Sequence, residues 1–204
     1  MRLPGRPSAM IDGHHREKFI SENLLGIEVE VEFQPLYAGQ PLFSDVDSYV
    51  RNHLGLQIQD LGKYYWKYPE GINVGSTQGQ LIFGDALYLR PPHNILTWCS
   101  RFSQAEASRK IQMACVLGVI YGYLDYSLCI LNQASITDFL ELDVVTRWKY
   151  LLLKHGRSLY CKGRVAGRLS DFFFCLYKMF KPTHQGWAST EHQLGSRKQY
   201  GIFK

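Results

Sequence analysis

The sequence predicts an α/β fold in which a partial sheet, in the order strand–helix–strand–strand, precedes a helical C-terminal region. Two observations lead to this prediction: strict two-residue alternation over residues 27–34, and helical patterning throughout the chain after Pro91-Pro92. With 204 residues, 46% of them hydrophobic, the chain is long enough to bury a core of ordinary domain size. We expect an irregular segment at 1–16, an α/β region at 17–92 and a helical extension at 93–204.

The first strand has one apolar and one acidic face. Apolar residues alternate with three glutamates in the order Ile27, Glu28, Val29, Glu30, Val31, Glu32, Phe33. Burying unpaired carboxylates costs several kcal/mol, so the acidic face must meet water, cations or a polar cleft. A short helix over 17–25, ended by Gly26, is predicted before this strand.

A helix and two further strands complete the α/β region. Ser44-Asp-Val-Asp47 resembles a capping box and predicts a helix over 45–54, closed by Gly55. Strands are predicted at 56–65 and 80–89, paired as an antiparallel hairpin across a loop rich in Gly, Asn and Ser. The first strand, its helix and the second strand can form a right-handed crossover.

The helical extension begins after the two prolines, which cannot donate to a sheet ladder. Ser103-Gln-Ala-Glu106 is a complete capping box, and Ser135-Ile-Thr-Asp138 is a second one. The predicted helices cover residues 94–101, 104–131, 136–154 and 165–180.

Composition limits the partners and the location. The five cysteines form no Cys-x-x-Cys pair and the seven histidines have no zinc spacing, so we expect reduced thiols in a cytoplasmic protein without a metal site. No secretory signal is visible, and the apolar run at 116–131 contains Asp125 and is too short to cross a bilayer. The net charge of +5 comes from the C-terminal half of the chain. A basic region of this kind favours phosphates, an acidic lipid surface or an anionic cofactor, or is a solvated face without a partner. Nucleic acid is not an expected partner.

Three sequence blocks resemble the C-terminal half of FkbM-type methyltransferases. The first is GIEVEVEFQPLYAGQPLF at 26–43, followed closely by Asp45-Val46-Asp47. The second is Tyr64-Tyr65-Trp66-Lys67, and the third is GQLIFGDALYLR at 79–90. Residues 94–204 resemble, less sharply, the helical extension that some members carry.

The resemblance implies a Rossmann-like fold, of which this region supplies the last parallel strand, its helix and a final strand pair with one antiparallel member. It also implies an S-adenosylmethionine-dependent O-methyltransferase whose acceptor is a hydroxyl group of a sugar or small metabolite. The Gly-rich loop that binds the cofactor in this class has no counterpart upstream of residue 26, so the cofactor-binding residues are not assigned. We therefore expect a truncated or divergent member.

Five residues are candidates for the site. Glu32, near the carboxyl end of the first strand, and Asp85, in an otherwise apolar strand, are the candidate catalytic carboxylates that orient or deprotonate a hydroxyl. Glu30, Tyr37 and Tyr65 are the candidate substrate-binding residues. A solvated strand face explains the glutamates equally well, a hydrogen-bonded structural role explains Asp85, and core packing explains the tyrosines.

Two other functions remain open. The chain is alternatively a non-catalytic module that binds a protein partner, or a peripheral membrane-associated domain that uses the basic, Phe-rich segment 165–180. Small residues along the predicted helix 104–131, among them Gly118 and Gly122, also leave a homo-oligomer open.

Overall fold

A computed structural model shows how these segments assemble. The structure describes residues 20, 22–71, 79–134, 139–157, 172–173, 175–177 and 188–190. The irregular segment predicted at 1–16 and the cap predicted at 135–138 lie outside these residues. Within the helices predicted at 17–25 and 165–180, the described residues 20, 22–23, 172–173 and 175–177 are helical.

Four strands form one antiparallel sheet. They are β1 (Gly26–Glu32), β2 (Gln57–Trp66), β3 (Gln80–Leu89) and β4 (Ala188–Thr190). The order is β1–β3–β2–β4, with antiparallel pairing between all neighbours. β1 and β2 therefore run in the same direction with β3 between them. The α/β class and the β2–β3 hairpin are confirmed, whereas β4 adds an unpredicted strand from the region expected to be helical.

One face of the sheet packs against helix α1 (Phe43–Tyr49), which continues as a π-helical turn over Val50–Leu54. The start of this helix differs from the predicted Ser44 cap. Helix α1 begins at Phe43, because the Asp45 carboxylate accepts a hydrogen bond from the Leu42 N–H at 2.9 Å. The core on this side is formed by Val31, Val50, Leu54, Leu56, Ala86 and Tyr88.

Four helices cover one end of the opposite face. They are α2 (Pro92–Cys99), α3 (Gln104–Tyr121), α4 (Leu124–Ala134) and α5 (Leu142–Arg157). Their core includes Ile95, Trp98, Ile111 and Ile130, together with Leu87 and Leu89 of β3. No helix in the described part of the chain has the length and apolarity needed to cross a membrane.

The single helix predicted over 104–131 is wrong, because the chain turns at Gly122. This glycine has a φ of 83°, which side-chain-bearing residues rarely adopt, and α4 starts two residues later. Gly118 lets the two helices approach closely, since a Cβ at this position would lie 2.3 Å from the Ser127 Oγ atom. The capping box from Ser103 to Glu106 is confirmed at the start of α3.

Arg90 joins several elements where β3 ends. Its side chain is buried and donates to the Leu24 carbonyl at 3.0 Å and to the Leu54 carbonyl at 3.2 Å. The guanidinium also lies 4.5 Å from the centre of the Trp98 ring. Burial lowers the pKa of this group. Arg90 thus connects the segment before β1, the end of the π-helical turn and α2.

Candidate functional site

Carboxylates from three strands share the sheet face that the helices cover at one end. Glu30 of β1 lies opposite Asp85 of β3, and Asp85 in turn lies opposite Gly62 of β2. The rows on either side place Glu28 and Asp60 opposite Leu87, and Glu32 and Tyr64 opposite Phe83. Because side chains of directly paired residues point to the same face, these rows form one polar surface. We call it the carboxylate face; its polar members are Glu28, Glu30, Glu32, Asp60, Tyr64 and Asp85.

Tyrosine hydroxyls contact three of these carboxylates. The bonds run from Tyr64 to Asp85 (2.7 Å), from Tyr121 to Glu28 (2.6 Å) and from Tyr123 to Asp60 (2.8 Å). Tyr121 closes α3 and Tyr123 follows it, so the α3–α4 turn delivers two hydroxyls to the sheet. The helical layer therefore reaches the carboxylate face and hydrogen-bonds two of its acids, Glu28 and Asp60. Asp85 is hydrogen-bonded by a residue of the sheet instead.

The electrostatics of Tyr64 show how closely the acids gather. The hydrogen bond to Asp85 is the largest cause of a raised pKa for the Tyr64 phenol, followed by burial and by the negative charge of Asp85. Glu30 and Glu28 raise the same pKa through their charges. Tyr64 therefore remains a protonated donor to Asp85 well into the alkaline range.

Three aromatic rings form a cluster that contacts Asp85 through Tyr64. Tyr64 stacks on Phe83 with centroids 4.5 Å apart and an interplanar angle of 5°. Trp66 meets the same ring edge-on at 6.0 Å. Phe83 is half-buried, so part of this wall is open to solvent. An aromatic surface beside hydrogen-bonding carboxylates suits a ligand with both apolar and hydroxyl groups.

The five predicted site residues do not all meet. Glu30 and Asp85 lie opposite each other, and the half-buried Glu32 lies one row further along the same face. Tyr37 lies in the loop after β1 with its side chain 73% exposed, and its backbone N–H donates to Gln40. Tyr65 pairs with Leu81 and with Ser189 of β4 through the strand ladders. The structure thus places Glu30, Glu32 and Asp85 on one face, and Tyr37 in the loop after β1.

Sequence reasoning missed the tyrosines of the α3–α4 turn and the role of Phe83. The β2–β3 pairing would have placed Tyr64 near Asp85 had its register been known, because both residues fall on one face. Tyr121 and Tyr123 carried no comparable signal, since the predicted helix ran through them without a turn.

The loop after β1 does not have the features of an S-adenosylmethionine-binding loop. The loop at 33–42 contains a single glycine, Gly39, whereas cofactor loops of this class use several to let the backbone approach the ligand. The helix that follows receives the Asp45 carboxylate at its N-terminus, where a cofactor's anionic group would otherwise bind. We therefore derive no step through this cofactor. Among the described residues, no three of His, Cys, Asp and Glu are placed to share a metal ion.

No protein-family model, curated protein or solved structure matches this chain. The functional argument therefore depends on the site and on the sequence blocks described above.

Proposed function

We propose that this chain carries the acceptor-binding part of an FkbM-type O-methyltransferase, in which the carboxylate face binds a hydroxyl group of a sugar or small metabolite. The observation that carries the proposal is the Tyr64–Asp85 hydrogen bond beside Glu30 and a partly open aromatic wall. By resemblance, the methyl donor is S-adenosylmethionine.

Asp85 is the candidate general base. The Tyr64 hydroxyl donates to Asp85 Oδ2, which leaves Oδ1 as an acceptor for a substrate hydroxyl. A carboxylate that accepts this proton increases the nucleophilicity of the hydroxyl oxygen. Glu30 lies directly opposite and is exposed, so it supplies a second acceptor for a neighbouring hydroxyl of a polyol. Glu32 extends the same row of acceptors.

The strand arrangement supports the family part of the proposal. β3 runs antiparallel between two strands of common direction, which is how one antiparallel member enters the end of the sheet implied by the resemblance. Helix α1 connects those two strands. Each sequence block that carries the resemblance contributes to this part of the sheet.

Acceptor binding is tested with saturation-transfer NMR of the purified chain against a panel of methyl glycosides. We expect at least one glycoside to bind, and Asp85→Asn to reduce its signal several-fold. Glu141→Gln, an exposed carboxylate with no part in the site, is the matched control and should leave the signal unchanged. A signal unaffected by Asp85→Asn would refute the assignment of the site.

Calorimetric titration with S-adenosylmethionine tests the donor side separately. Micromolar binding would support a catalytically competent chain. A titration without heat, combined with no glycoside binding, would favour the non-catalytic interaction module.

A further inference from the structure

The outer edge of β1 has backbone groups with which no strand in the described part of the chain pairs. The Arg90 N–H donates to the Leu25 carbonyl at 2.8 Å, and the Phe33 N–H donates to the Ile82 carbonyl at 2.7 Å, so odd-numbered residues of this segment bond towards β3. Since inward and outward groups alternate along an antiparallel strand, the even-numbered residues direct their N–H and C=O groups outward. These are Gly26, Glu28, Glu30 and Glu32.

An apolar stripe on α3 lies beside the same edge. Met113, Val116 and Ile120 have exposed fractions of 51%, 43% and 37%, and their spacing places them on one side of the helix. The hydrogen bond from Tyr121 to Glu28 holds the end of α3 against β1. Exposed apolar side chains grouped in this way mark interaction surfaces more often than scattered ones do.

A groove joins the edge to the stripe. Its volume is about 620 Å³, and its lining includes Leu25 and Gly26 at the start of β1, Met113 and Val116 of α3, and Trp148 of α5. The groove, the stripe and the outward backbone groups therefore form one continuous surface, which we call the β1-edge surface.

The charge at this edge indicates which kind of strand can pair with β1. Glu28 and Glu30 are exposed, and all the glutamates of β1 lie on one face. A second copy of β1 pairing here would place glutamate beside glutamate, or, in the shifted register, glutamate beside valine and isoleucine. Both arrangements are unfavourable. A strand that alternates Lys or Arg with apolar residues matches both faces, because its apolar side would extend the half-buried row of Ile27 and Val29.

We propose that the β1-edge surface binds an extended segment of another protein, in which basic and apolar residues alternate, by adding it as a strand to the sheet. Main-chain hydrogen bonds provide affinity in this mode, and the alternating side chains provide specificity. The basic side chains of the added strand lie on the same face as α3, so their aliphatic stems contact the apolar stripe and the groove. The proposal goes beyond acceptor binding and does not depend on Asp85.

Amide hydrogen exchange by NMR tests the proposal residue by residue. The probe is a nine-residue peptide in which lysine and valine alternate, with a glutamate–valine peptide as its control. In the free chain we expect fast exchange at Glu28, Glu30 and Glu32 and slow exchange at Val29 and Val31. Saturating lysine–valine peptide should slow the three glutamate amides at least about tenfold, because they become hydrogen-bonded. The glutamate–valine peptide should leave them unchanged.

Charge reversal supplies the matched variant. Glu30→Lys should weaken binding of the lysine–valine peptide and promote binding of the glutamate–valine peptide. Asp85→Asn should reduce acceptor binding several-fold and leave peptide binding intact, which separates this proposal from the proposed function. Three results would overturn the inference: no change in exchange with the lysine–valine peptide, slow glutamate exchange in the free monomer, or slow exchange that follows dimerisation in sedimentation experiments.

Discussion

Replacing Arg90 with methionine removes a buried cation and keeps most of its aliphatic volume. Arg90 is 7% exposed, and its guanidinium donates to the carbonyls of Leu24 and Leu54 while lying over the Trp98 ring. In the variant the buried carbonyl of Leu54 and the partly buried carbonyl of Leu24 lose a charged donor, so we expect Arg90→Met to destabilise the fold.

The size of the effect follows from these contacts. A buried carbonyl left without a donor costs about 1–3 kcal/mol, and the partly buried carbonyl of Leu24 costs less because water can reach it. Loss of the contact with the Trp98 ring adds about 1 kcal/mol. Relief of the guanidinium's desolvation penalty offsets part of this sum. We expect a net loss of about 3 kcal/mol in the free energy of unfolding, which corresponds to about 6–12 °C in Tm for a chain of this length.

Urea denaturation followed by circular dichroism measures this loss, and calorimetry gives the change in Tm. Arg109→Met is the matched control, because Arg109 is exposed on α3 and its loss should change stability by less than about 0.5 kcal/mol. A loss below about 1 kcal/mol for Arg90→Met would show that water or other groups satisfy the two carbonyls, and would refute the argument that Arg90 joins these elements.

Three further predictions follow from individual contacts. Asp85→Asn should lower the pKa of Tyr64 towards its ordinary value, as measured by ¹³C NMR of the phenol ring. In the unmodified chain, the raised pKa of Tyr64 stabilises the fold fully below the ordinary tyrosine pKa. This stabilisation disappears as the pH rises through the pKa of Tyr64 in the folded chain. Gly118→Ala should destabilise the fold by about 1–3 kcal/mol in urea denaturation, because the methyl group overlaps α4. The hydroxyl and backbone N–H of Ser103 lower the pKa of Glu106, so Glu106→Gln should flatten the stability–pH curve as pH falls through that pKa. The first prediction would be contradicted by an unchanged Tyr64 titration in Asp85→Asn, and the second by a Gly118→Ala variant as stable as the unmodified chain. The third would be contradicted if Glu106→Gln left the dependence of stability on acidic pH unchanged.

Local sequence patterns located several elements closely. The bounds predicted for β3 agree with the observed Gln80–Leu89, because the segment is enriched in strand-forming residues and Pro91 follows directly. The alternation at β1 identified the faces of that strand, and Gly55 and the Ser103 capping box ended and began helices where expected. These features depend on residues that are close together in the sequence, so the sequence pattern predicts them.

Features that depend on distant segments were not accessible in this way. The sequence on both sides of Gly122 has a helical pattern. The break there follows from the packing of α3 against α4. The hydrogen bonds of Tyr121 and Tyr123 span 93 and 63 residues along the chain. The pairing of β4 with β2 likewise joins segments far apart in sequence.

The sequence by itself determined that β1 has an apolar face and a face of carboxylates, because a period of two assigns each residue to one side. Only the tertiary structure decided what meets those carboxylates. It placed Asp85 opposite Glu30, supplied the hydroxyls of Tyr64, Tyr121 and Tyr123, and left β1 at the end of the sheet order. The physical reason is that strand register and helix docking are set by contacts summed over the whole core, and no single segment contains them.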